Sequence, residues 1–399
     1  MRLLTGVNRR EFCRGLTASS LAGGYTWGWP EPISDAYRIA AKIDKKRILK
    51  AASEFLPLPP ATITSFPSDR SPGGPHDFFS QADYFWPDPK NPQGPYVNRD
   101  GQSNPANFSE HRAAMIALSI RMPALTAAWM LTGEKRYGQR ACEHLRAWFI
   151  SPDTRMNPNL EFAQGVHGVS TGRSYGIIDT LHLVEVARAA SLVSRRMMSA
   201  AENDALRDWF RSYLLWMKSS DKGRTEGAAF NNHATCWALQ ATEYARLIGD
   251  SDARRDIRQQ YIEVLLPGQL AEDGSFPKEL TRTKPYSYSI FNFDVMTMLC
   301  VSLRGTGDDL ILYRLPDGRG IRKAAEFLYP YLKEKDRWPY RKDVEHFDSL
   351  PVRSPGLLFA GLACGKHEYV DLWMTMNPDP QDPEIVRNYP IRQPLLWCD

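Results

Sequence analysis

From residue 109 onward, the chain reads as a series of helical runs separated by short glycine-containing breaks. The breaks are Leu131-Thr-Gly133, Leu247-Ile-Gly249, Leu303-Arg-Gly305 and Leu362-Ala-Cys-Gly365. Each places a glycine just after a run, where the left-handed conformation that ends many helices costs glycine little. Two runs joined by so short a break form an antiparallel helix pair. The sequence therefore predicts a succession of αα-hairpins.

These runs carry almost no β pattern and predict an all-α fold. Residues 110–131 are apolar nearly all round, which predicts a buried helix, and Ser199-Ala-Ala-Glu202 is a capping box that starts another helix. The runs follow no strict repeat period, which argues against a regular solenoid. We expect residues 31–399 to form a single domain with the architecture of an α/α toroid, an incomplete α/α barrel. Its long irregular segment, residues 57–108, is long enough to suggest a function.

The first 30 residues have the pattern of an export signal. Asn8-Arg9-Arg10-Glu11-Phe12 is a twin-arginine pattern, and the weakly apolar run 15–24 of small residues follows it. The alternative is a fortuitous arginine pair on a short helix. No later apolar run is long enough to span a bilayer. We therefore expect an exported protein, periplasmic or secreted, without a membrane span.

Charge and cysteine usage exclude several classes of protein. The net charge is only +4 and no long Lys/Arg run occurs, so the sequence does not predict nucleic-acid binding. The six cysteines form no CxxC pair, which argues against zinc-ribbon and thioredoxin folds. We expect buried free thiols and no metal site. The sequence makes no prediction of the oligomeric state.

The most distinctive polar stretch is Asn231-Asn232-His233, where a Gly/Ala-rich loop runs into a strongly periodic helix. One interpretation is that an asparagine caps this helix. The other is a polar site for an anion, because free backbone N–H groups and the dipole at a helix N-terminus favour negative charge. The stretch alone does not separate the two.

Three further clusters carry candidate chemistry. A Gly-rich loop, 165–176, holds His167 and Arg173 before a helix from Ile177, and is either a carboxylate site or a plain connector. Residues 273–289 collect cations and tyrosines ahead of a helix predicted from Ile290; the alternative is a solvated loop with packed tyrosines. Its cations are expected to lower the pKa of a tyrosine and let it move protons. Residues 342–348 could form an acid–base cluster, but their simpler interpretation is a polar surface turn.

The irregular N-terminal segment supplies aromatic and basic side chains on a Pro-rich loop. Tyr84 and Trp86 stand in the run Tyr-Phe-Trp-Pro-Asp-Pro, and Arg99 follows. Such a loop suits the wall of a sugar-binding cleft. A loop that its aromatic residues merely pin to the core has the same composition.

Together these motifs resemble the alginate lyase superfamily of polysaccharide lyases, over roughly residues 76–300. In that group an Asn-Asn-His motif and a downstream segment with arginine and tyrosine, here Arg282 to Tyr288, face each other across the cleft of an α/α toroid. Typical members continue the motif with Ser-Tyr-Trp, whereas this chain has Ala234-Thr-Cys-Trp237. The Trp-Pro-Asp-Pro loop resembles more distant members, some of which act on glucuronan-like polymers. The resemblance therefore implies an acidic uronate polysaccharide, alginate or glucuronan-like, as substrate.

The resemblance also implies roles for individual residues in a β-elimination that requires no metal or other cofactor. Asn232, His233 and Arg282 would stabilise the charge that develops on the substrate carboxylate. Tyr288 would act as base and acid, or as acid with His233 as base, depending on the stereochemistry of the sugar. The remaining predicted substrate-binding residues are Asn231, His167, Arg173, Tyr84, Trp86, Arg99, Lys284 and Tyr286.

Two other functions fit the same residues. A glycoside hydrolase on a similar toroid would need two carboxylates across the cleft, such as Asp273 and Glu279. A non-catalytic protein that binds polysaccharide would keep the aromatic loop and the cations, and would tolerate the loss of Tyr288.

Overall fold

The computed structural model describes residues 34–398, so the predicted export signal lies outside the described residues. Helices dominate this part of the chain, in agreement with the predicted all-α fold. The α-helices are α1 Asp35–Phe55, α2 Glu110–Thr132, α3 Lys135–Phe149, α4 Leu183–Met197, α5 Ala200–Ser219, α6 Asp221–Gly227, α7 Asn232–Ile248, α8 Ser251–Gln260, α9 Leu266–Gln269, α10 Pro277–Leu280, α11 Pro285–Ser302, α12 Ile321–Lys333, α13 Pro355–Cys364, α14 His367–Thr375 and α15 Pro383–Arg387. The strands are β1 Phe79–Gln81, β2 Phe85–Trp86, β3 Val97–Asn98 and β4 Phe162–Gly165.

The long helices form two layers. Helices α2, α4, α7, α11 and α13 pack against one another in chain order, and α7 and α11 are buried almost all round. Helices α3, α8 and α14 pack on the outer side of their hairpin partners. The outer helices are amphipathic; α8, for example, buries only Ala253 and Ile257. Helix pairs in an inner and an outer layer are the arrangement that an α/α toroid requires.

The helix ends follow the local signals in the sequence. Gly133 and Gly249 have φ angles of 71° and 77°, in the left-handed region, and each ends the first helix of a hairpin. The Ser199 hydroxyl accepts a hydrogen bond from the Glu202 N–H, and the Glu202 carboxylate accepts one from the Ser199 N–H, so the predicted capping box is present. The predicted hairpins α2–α3 and α7–α8 are therefore confirmed.

Helix α2 is the one described helix that is long and apolar enough to cross a membrane. Its mean hydropathy reaches 1.5 over the most apolar window, and 67% of that window is buried inside the fold. The sequence interpretation that no later run is long enough overlooks this helix. Its apolar surface is covered by α1, α3 and α4, which fits a core helix of the inner layer.

Short strands tie the irregular N-terminal segment to the Gly-rich loop. Strand β1 pairs in parallel with β4, and β2 pairs antiparallel with β3. The first pairing joins residues about eighty positions apart and brings the segment 57–108 beside the loop 165–176. Two of the predicted polar clusters are thereby placed next to each other.

Helix α11 starts five residues earlier than predicted. Pro285 stands in its first turn, where its missing N–H and fixed φ are tolerated. The carboxylate of Asp343 accepts the N–H groups of Tyr286 at 2.8 Å and Ser287 at 2.9 Å. Because Asp343 caps the helix from a distant loop, Tyr288 lies in the first turns of α11 and has a fixed position.

Candidate active site

A cleft of about 510 Å³ collects side chains from several separate parts of the chain. They come from the N-terminal loop, the start of α2, strand β4, the Gly-rich loop with residues 178–182 after it, the starts of α7 and α11, and the C-terminal segment. The lining includes Asp83, Tyr84, Phe85, Asn98, Asp100, Arg112, Gln164, Arg173, Tyr175, Asp179, Asn231, Asn232, His233, Arg282, Tyr288, Arg387 and Asn388. All four predicted catalytic residues and three of the predicted binding residues, Asn231, Arg173 and Tyr84, therefore line one cleft.

The two asparagines of the Asn-Asn-His stretch have different tasks. The Asn231 side chain accepts the His233 N–H at 3.3 Å and caps α7. The backbone N–H of Asn232 and its side-chain amide both donate to Glu279, at 2.9 and 2.7 Å. The negative charge expected at this helix N-terminus is thus supplied by the protein itself, through a carboxylate with no exposed surface. Glu279 fixes the Asn232 amide in the cleft wall.

His233 is oriented by a buried carboxylate. Its Nδ1 lies 2.5 Å from Oε1 of Glu226, which is only 2% exposed. The Tyr175 ring meets the imidazole edge to face, with the ring centroids 5.0 Å apart. This arrangement assigns Nδ1 to Glu226 and leaves Nε2 for the cleft, as a proton acceptor when the ring is neutral.

The Tyr288 hydroxyl lies in a chain of polar groups. It is 2.9 Å from the Tyr84 hydroxyl, which in turn receives an N–H from Arg387 at 3.3 Å. Burial raises the pKa of Tyr288 well above its ordinary value, and Tyr84 adds to the rise, whereas the Arg282 charge opposes it. The Arg282 charge does lower the pKa as predicted, but burial outweighs it, so the predicted net fall in the pKa of the tyrosine is wrong. Tyr288 is a neutral phenol that can donate a proton.

The Arg282 guanidinium lines the cleft and forms a salt bridge with Asp100. Its guanidinium donates to both oxygens of Asp100, at 2.7 and 3.3 Å, and lies 4.7 Å from the centroid of the Tyr288 ring. Thr283 also donates to Asp100, at 2.9 Å, so the tip of the N-terminal loop is fastened to the segment that precedes α11. Arg282 therefore positions the loop and the tyrosine ring besides contributing charge.

Two predicted binding residues are not in the cleft. Tyr286 is fully buried, and its hydroxyl donates to the Tyr331 carbonyl at 2.9 Å. Lys284 is 1% exposed, and its Nζ donates to Glu384 at 3.0 Å. Both residues precede Tyr288 on the same helix start, where the helical turn directs them to the core. Neither can contact a substrate in this arrangement.

Three other predicted binding residues lie on the loops that border the cleft, without lining it. Arg99 is exposed and stacks over the Trp86 ring, 5.1 Å from its centroid. His167 is exposed, with its ring 5.2 Å from that of Tyr96. These residues form the outer face of the two loops, and their predicted contact with substrate stays a prediction.

Sequence reasoning missed several residues that shape the site. Glu226 stands seven residues before His233. An acidic residue so close to the motif could have indicated a carboxylate partner for the imidazole. Asp100 follows the predicted Arg99, yet its pairing with Arg282 spans 182 residues. Arg387 and Asn388 belong to no recognisable motif, and the C-terminal segment brings them into the lining.

The carboxylates that a hydrolase would need are not available in the cleft. Glu279 is buried on Asn232, and Asp273 lies exposed in a turn where it accepts the Ser275 N–H. Each of the lining carboxylates pairs with arginine; these are Asp83, Asp100 and Asp179. Over residues 34–398, no three His, Cys, Asp or Glu side chains are grouped so that they could hold a metal ion.

Comparison with known proteins agrees with this geometry. The family model for alginate lyase matches residues 62–338. An alginate lyase from Bacteroides ovatus is 28% identical, with a TM-score of 0.77 over 89% of this chain and 98% of that one. Alginate lyase A1-III from Sphingomonas species A1 is 15% identical, with a TM-score of 0.55 over 86% and 90% of the two chains.

A second structure of A1-III, complexed with a tetrasaccharide, is 14% identical, with a TM-score of 0.54 over 87% of this chain and 93% of that one. At this identity the A1-III structures show the shared fold, and they confirm the predicted α/α toroid. No curated protein matches the sequence. With a family model that covers more than half of its length, the chain belongs to the alginate lyase family and is a polysaccharide lyase, as its sequence predicts.

Proposed function

We propose that the protein cleaves a uronate polysaccharide by β-elimination in the cleft that holds Asn232, His233, Arg282 and Tyr288. One observation carries the proposal: a phenol, an imidazole and an amide face the same cleft, each held by a second group. Tyr84 contacts the phenol, and buried carboxylates hold the other two. A hydrolase would instead need two available carboxylates.

The reaction makes three demands on the cleft. The C5 proton of the uronate must be taken, and the electrons of the C5–H bond then form the C4–C5 double bond. The C4–O bond breaks, and the departing glycosidic oxygen must gain a proton. While this happens, negative charge builds up on the substrate carboxylate, which fixed donors stabilise better than water does. Asn232 is a donor with fixed orientation, His233 donates through Nε2 when its ring is protonated, and Arg282 adds positive charge.

Tyr288 supplies the proton to the leaving oxygen. Its raised pKa keeps the proton on the phenol until the glycosidic oxygen becomes basic. On a uronate whose C5 proton and C4 oxygen lie on opposite faces, His233 takes the C5 proton through Nε2. Where both lie on one face, the Tyr288 phenol must first give up its own proton to solvent; the phenolate then takes the C5 proton and passes it to the departing glycosidic oxygen. In that case the Arg387–Tyr84 hydrogen bonds and the Arg282 charge stabilise the phenolate.

The substrate class follows from charge and family. Arginines line the cleft, and we propose an acidic uronate polymer, alginate or glucuronan-like.

The purified protein should be incubated separately with alginate and glucuronan while ultraviolet absorption by unsaturated ends is followed. We expect absorption to rise with at least one polymer. New reducing ends without absorption would show hydrolysis, and binding without any cleavage would show a non-catalytic protein.

We also propose that residues 1–30 direct export and that residues 31–399 form one catalytic domain. The support is the twin-arginine pattern Asn8-Arg9-Arg10 and a substrate polymer too large to enter the cytoplasm freely. Full-length protein is expected in the exported fraction of a bacterial host that has twin-arginine transport. A variant with Arg9→Lys and Arg10→Lys is expected to stay in the cytoplasm. Equal export of both proteins would contradict the proposal.

A further inference from the structure

Gln164 is a strained residue in the wall of the cleft. Its φ angle is 50°, in the left-handed region where a side chain crowds the following carbonyl, and it is only 9% exposed. In the described part of the chain, His346 is the other non-glycine residue with positive φ. Strain of this kind persists only where neighbouring groups hold it, and it concentrates at functional sites.

Four hydrogen bonds hold Gln164 in this conformation. Its N–H donates to Ser80 at 2.8 Å, and its side-chain Nε2 donates to Asp179 at 2.9 Å. Its main-chain oxygen and Oε1 both accept from Arg173, at 3.0 and 3.1 Å. Because a carboxylate only accepts and a guanidinium only donates, the amide has one possible orientation. The left-handed backbone places both oxygens on the same guanidinium.

The consequence is an arginine held entirely by neutral acceptors. The other cleft arginines are paired with carboxylates: Arg112 with Asp83 and Asp179, Arg282 with Asp100, and Arg387 with Asp83 and Glu384. Within residues 34–398, Arg173 forms no ion pair with a carboxylate. Among the lining arginines it is thus the one without a described carboxylate at ion-pair distance, although Asp179, Glu226 and Asp83 act on its charge from farther away.

Aromatic rings pack against the Arg173 guanidinium and leave one edge of it accessible from the cleft. Its guanidinium lies 4.7 Å from the Phe85 ring centroid and 5.2 Å from that of Tyr175. Tyr175 in turn contacts His233, so the positive charge of Arg173 lies beside the Asn-Asn-His stretch. Aromatic faces suit a guanidinium because it is weakly hydrated, and they leave its edge open to an anion.

The Gly-rich loop makes this arrangement possible. A Cβ at Gly172 would lie 2.0 Å from the Glu161 carbonyl oxygen, so only glycine lets the two arms of the loop approach so closely. The Arg173 N–H then donates to the Ala163 carbonyl at 2.9 Å, next to Gln164. Of the two interpretations of this loop, connector or carboxylate site, the geometry favours the second.

We propose that Gln164 is a positioning residue that keeps Arg173 free of any carboxylate of the protein, so that Arg173 binds a carboxylate of the sugar chain. Together the two residues set the preference of the cleft for charged over neutral polysaccharides. The proposal rests on the proposed function in taking a uronate polymer as the ligand. A glutamate at position 164 would pair with Arg173 and cancel the charge that selects the substrate.

The test measures binding separately from turnover. In the background of Tyr288→Phe, the affinity for a uronate oligosaccharide is compared with that for its carboxyl-reduced, neutral counterpart. The variants are Gln164→Gly, which relieves the left-handed strain, Gln164→Asn, which tolerates it, and Arg173→Met, which removes the cation. With Tyr288 intact, KM and kcat are measured for the same three changes.

We expect each Gln164 variant to lower the preference for the charged ligand by about 10-fold, the size of one charged hydrogen bond. KM should rise by a similar factor while kcat changes by less than about twofold. Gln164→Gly should keep its melting temperature within a few degrees, because relieved strain offsets the lost hydrogen bonds. Arg173→Met should show at least as large a loss of preference.

An unchanged preference in both Gln164→Asn and Gln164→Gly would overturn the proposal, as would a fall in kcat at constant KM. If Gln164→Gly does not fold, Gln164→Asn decides alone, since asparagine adopts the left-handed conformation readily. A wild-type protein that binds the uronate ligand but releases no unsaturated ends would refute the proposed function. The role of Gln164 would still be judged by the binding preference.

Discussion

Replacing Tyr288 with phenylalanine is expected to abolish the release of unsaturated ends, lowering kcat by about 10³-fold or more. The variant loses one oxygen atom, and with it the group that gives a proton to the departing sugar. Water cannot replace it well, because Tyr288 is only 8% exposed, with its hydroxyl on Tyr84 and its ring against the Arg282 guanidinium. Initial rates of absorption increase, measured at saturating polymer, give the ratio of kcat values.

The matched control is Tyr286→Phe, on the same turn of α11. Its hydroxyl is bonded to the buried Tyr331 carbonyl and faces away from the cleft. We expect this variant to lose about 1–3 kcal/mol of folding stability through the unsatisfied carbonyl, while kcat stays close to that of the wild type. Thermal unfolding separates the two effects.

Near-normal activity of Tyr288→Phe, with a melting curve like that of the wild type, would remove Tyr288 from the mechanism. If Tyr286→Phe instead lost activity without losing stability, the sequence prediction that Tyr286 binds substrate would stand, and its buried position would need another explanation. The pair therefore tests both the catalytic residue and the direction of the helix that carries it.

The sequence predicted those parts of the fold that depend on neighbouring residues. Gly133 and Gly249 end helices in the left-handed conformation, and Ser199 forms a capping box with Glu202. Asn231 caps α7 from the adjacent position. Each of these structures is decided within a few residues, so a pattern in the sequence is sufficient to find it.

The start of α11 depends on a distant residue and was predicted five residues late. Asp343 caps this helix across 57 positions, is only 6% exposed, and has a pKa that burial raises to about 6. The interpretation of residues 342–348 as a polar surface turn is therefore wrong at Asp343. A cap supplied from a separate loop leaves no signal beside the helix that it starts.

The same limit applies to the candidate site. The motifs identified Asn232 and His233, yet not the carboxylates that hold them, because Glu279 and Glu226 are paired through the fold. Glu279, a candidate hydrolase carboxylate in the sequence, proved to be a buried partner of Asn232. Gln164 can bind Arg173 through both of its oxygens because its backbone is in the left-handed conformation. Nothing in the sequence around Gln164 indicates that backbone angle.

The pair of Glu226 and His233 leads to the second large expected effect. A hydrogen bond to a charged group is worth about 1.5–3 kcal/mol, and each 1.36 kcal/mol changes a rate about tenfold. Glu226→Gln keeps the shape of the side chain and an acceptor for Nδ1, but removes the negative charge that stabilises an imidazolium. We therefore expect kcat/KM to fall by about 10- to 100-fold.

His233→Ala should cost more, about 10²- to 10⁴-fold, since it removes the group itself. If Glu226 acts only through His233, adding Glu226→Gln to His233→Ala should cause no further loss, and the two effects are not additive. Additive losses would show that Glu226 acts on the cleft by another route, for example through its field on Arg173.

Equal activity of wild type and Glu226→Gln would show that His233 never gains positive charge during the reaction. In that case Tyr288 alone would move the protons, and the neutral imidazole, whose Nδ1 proton is held by Glu226, would neither take a proton nor donate one to the substrate.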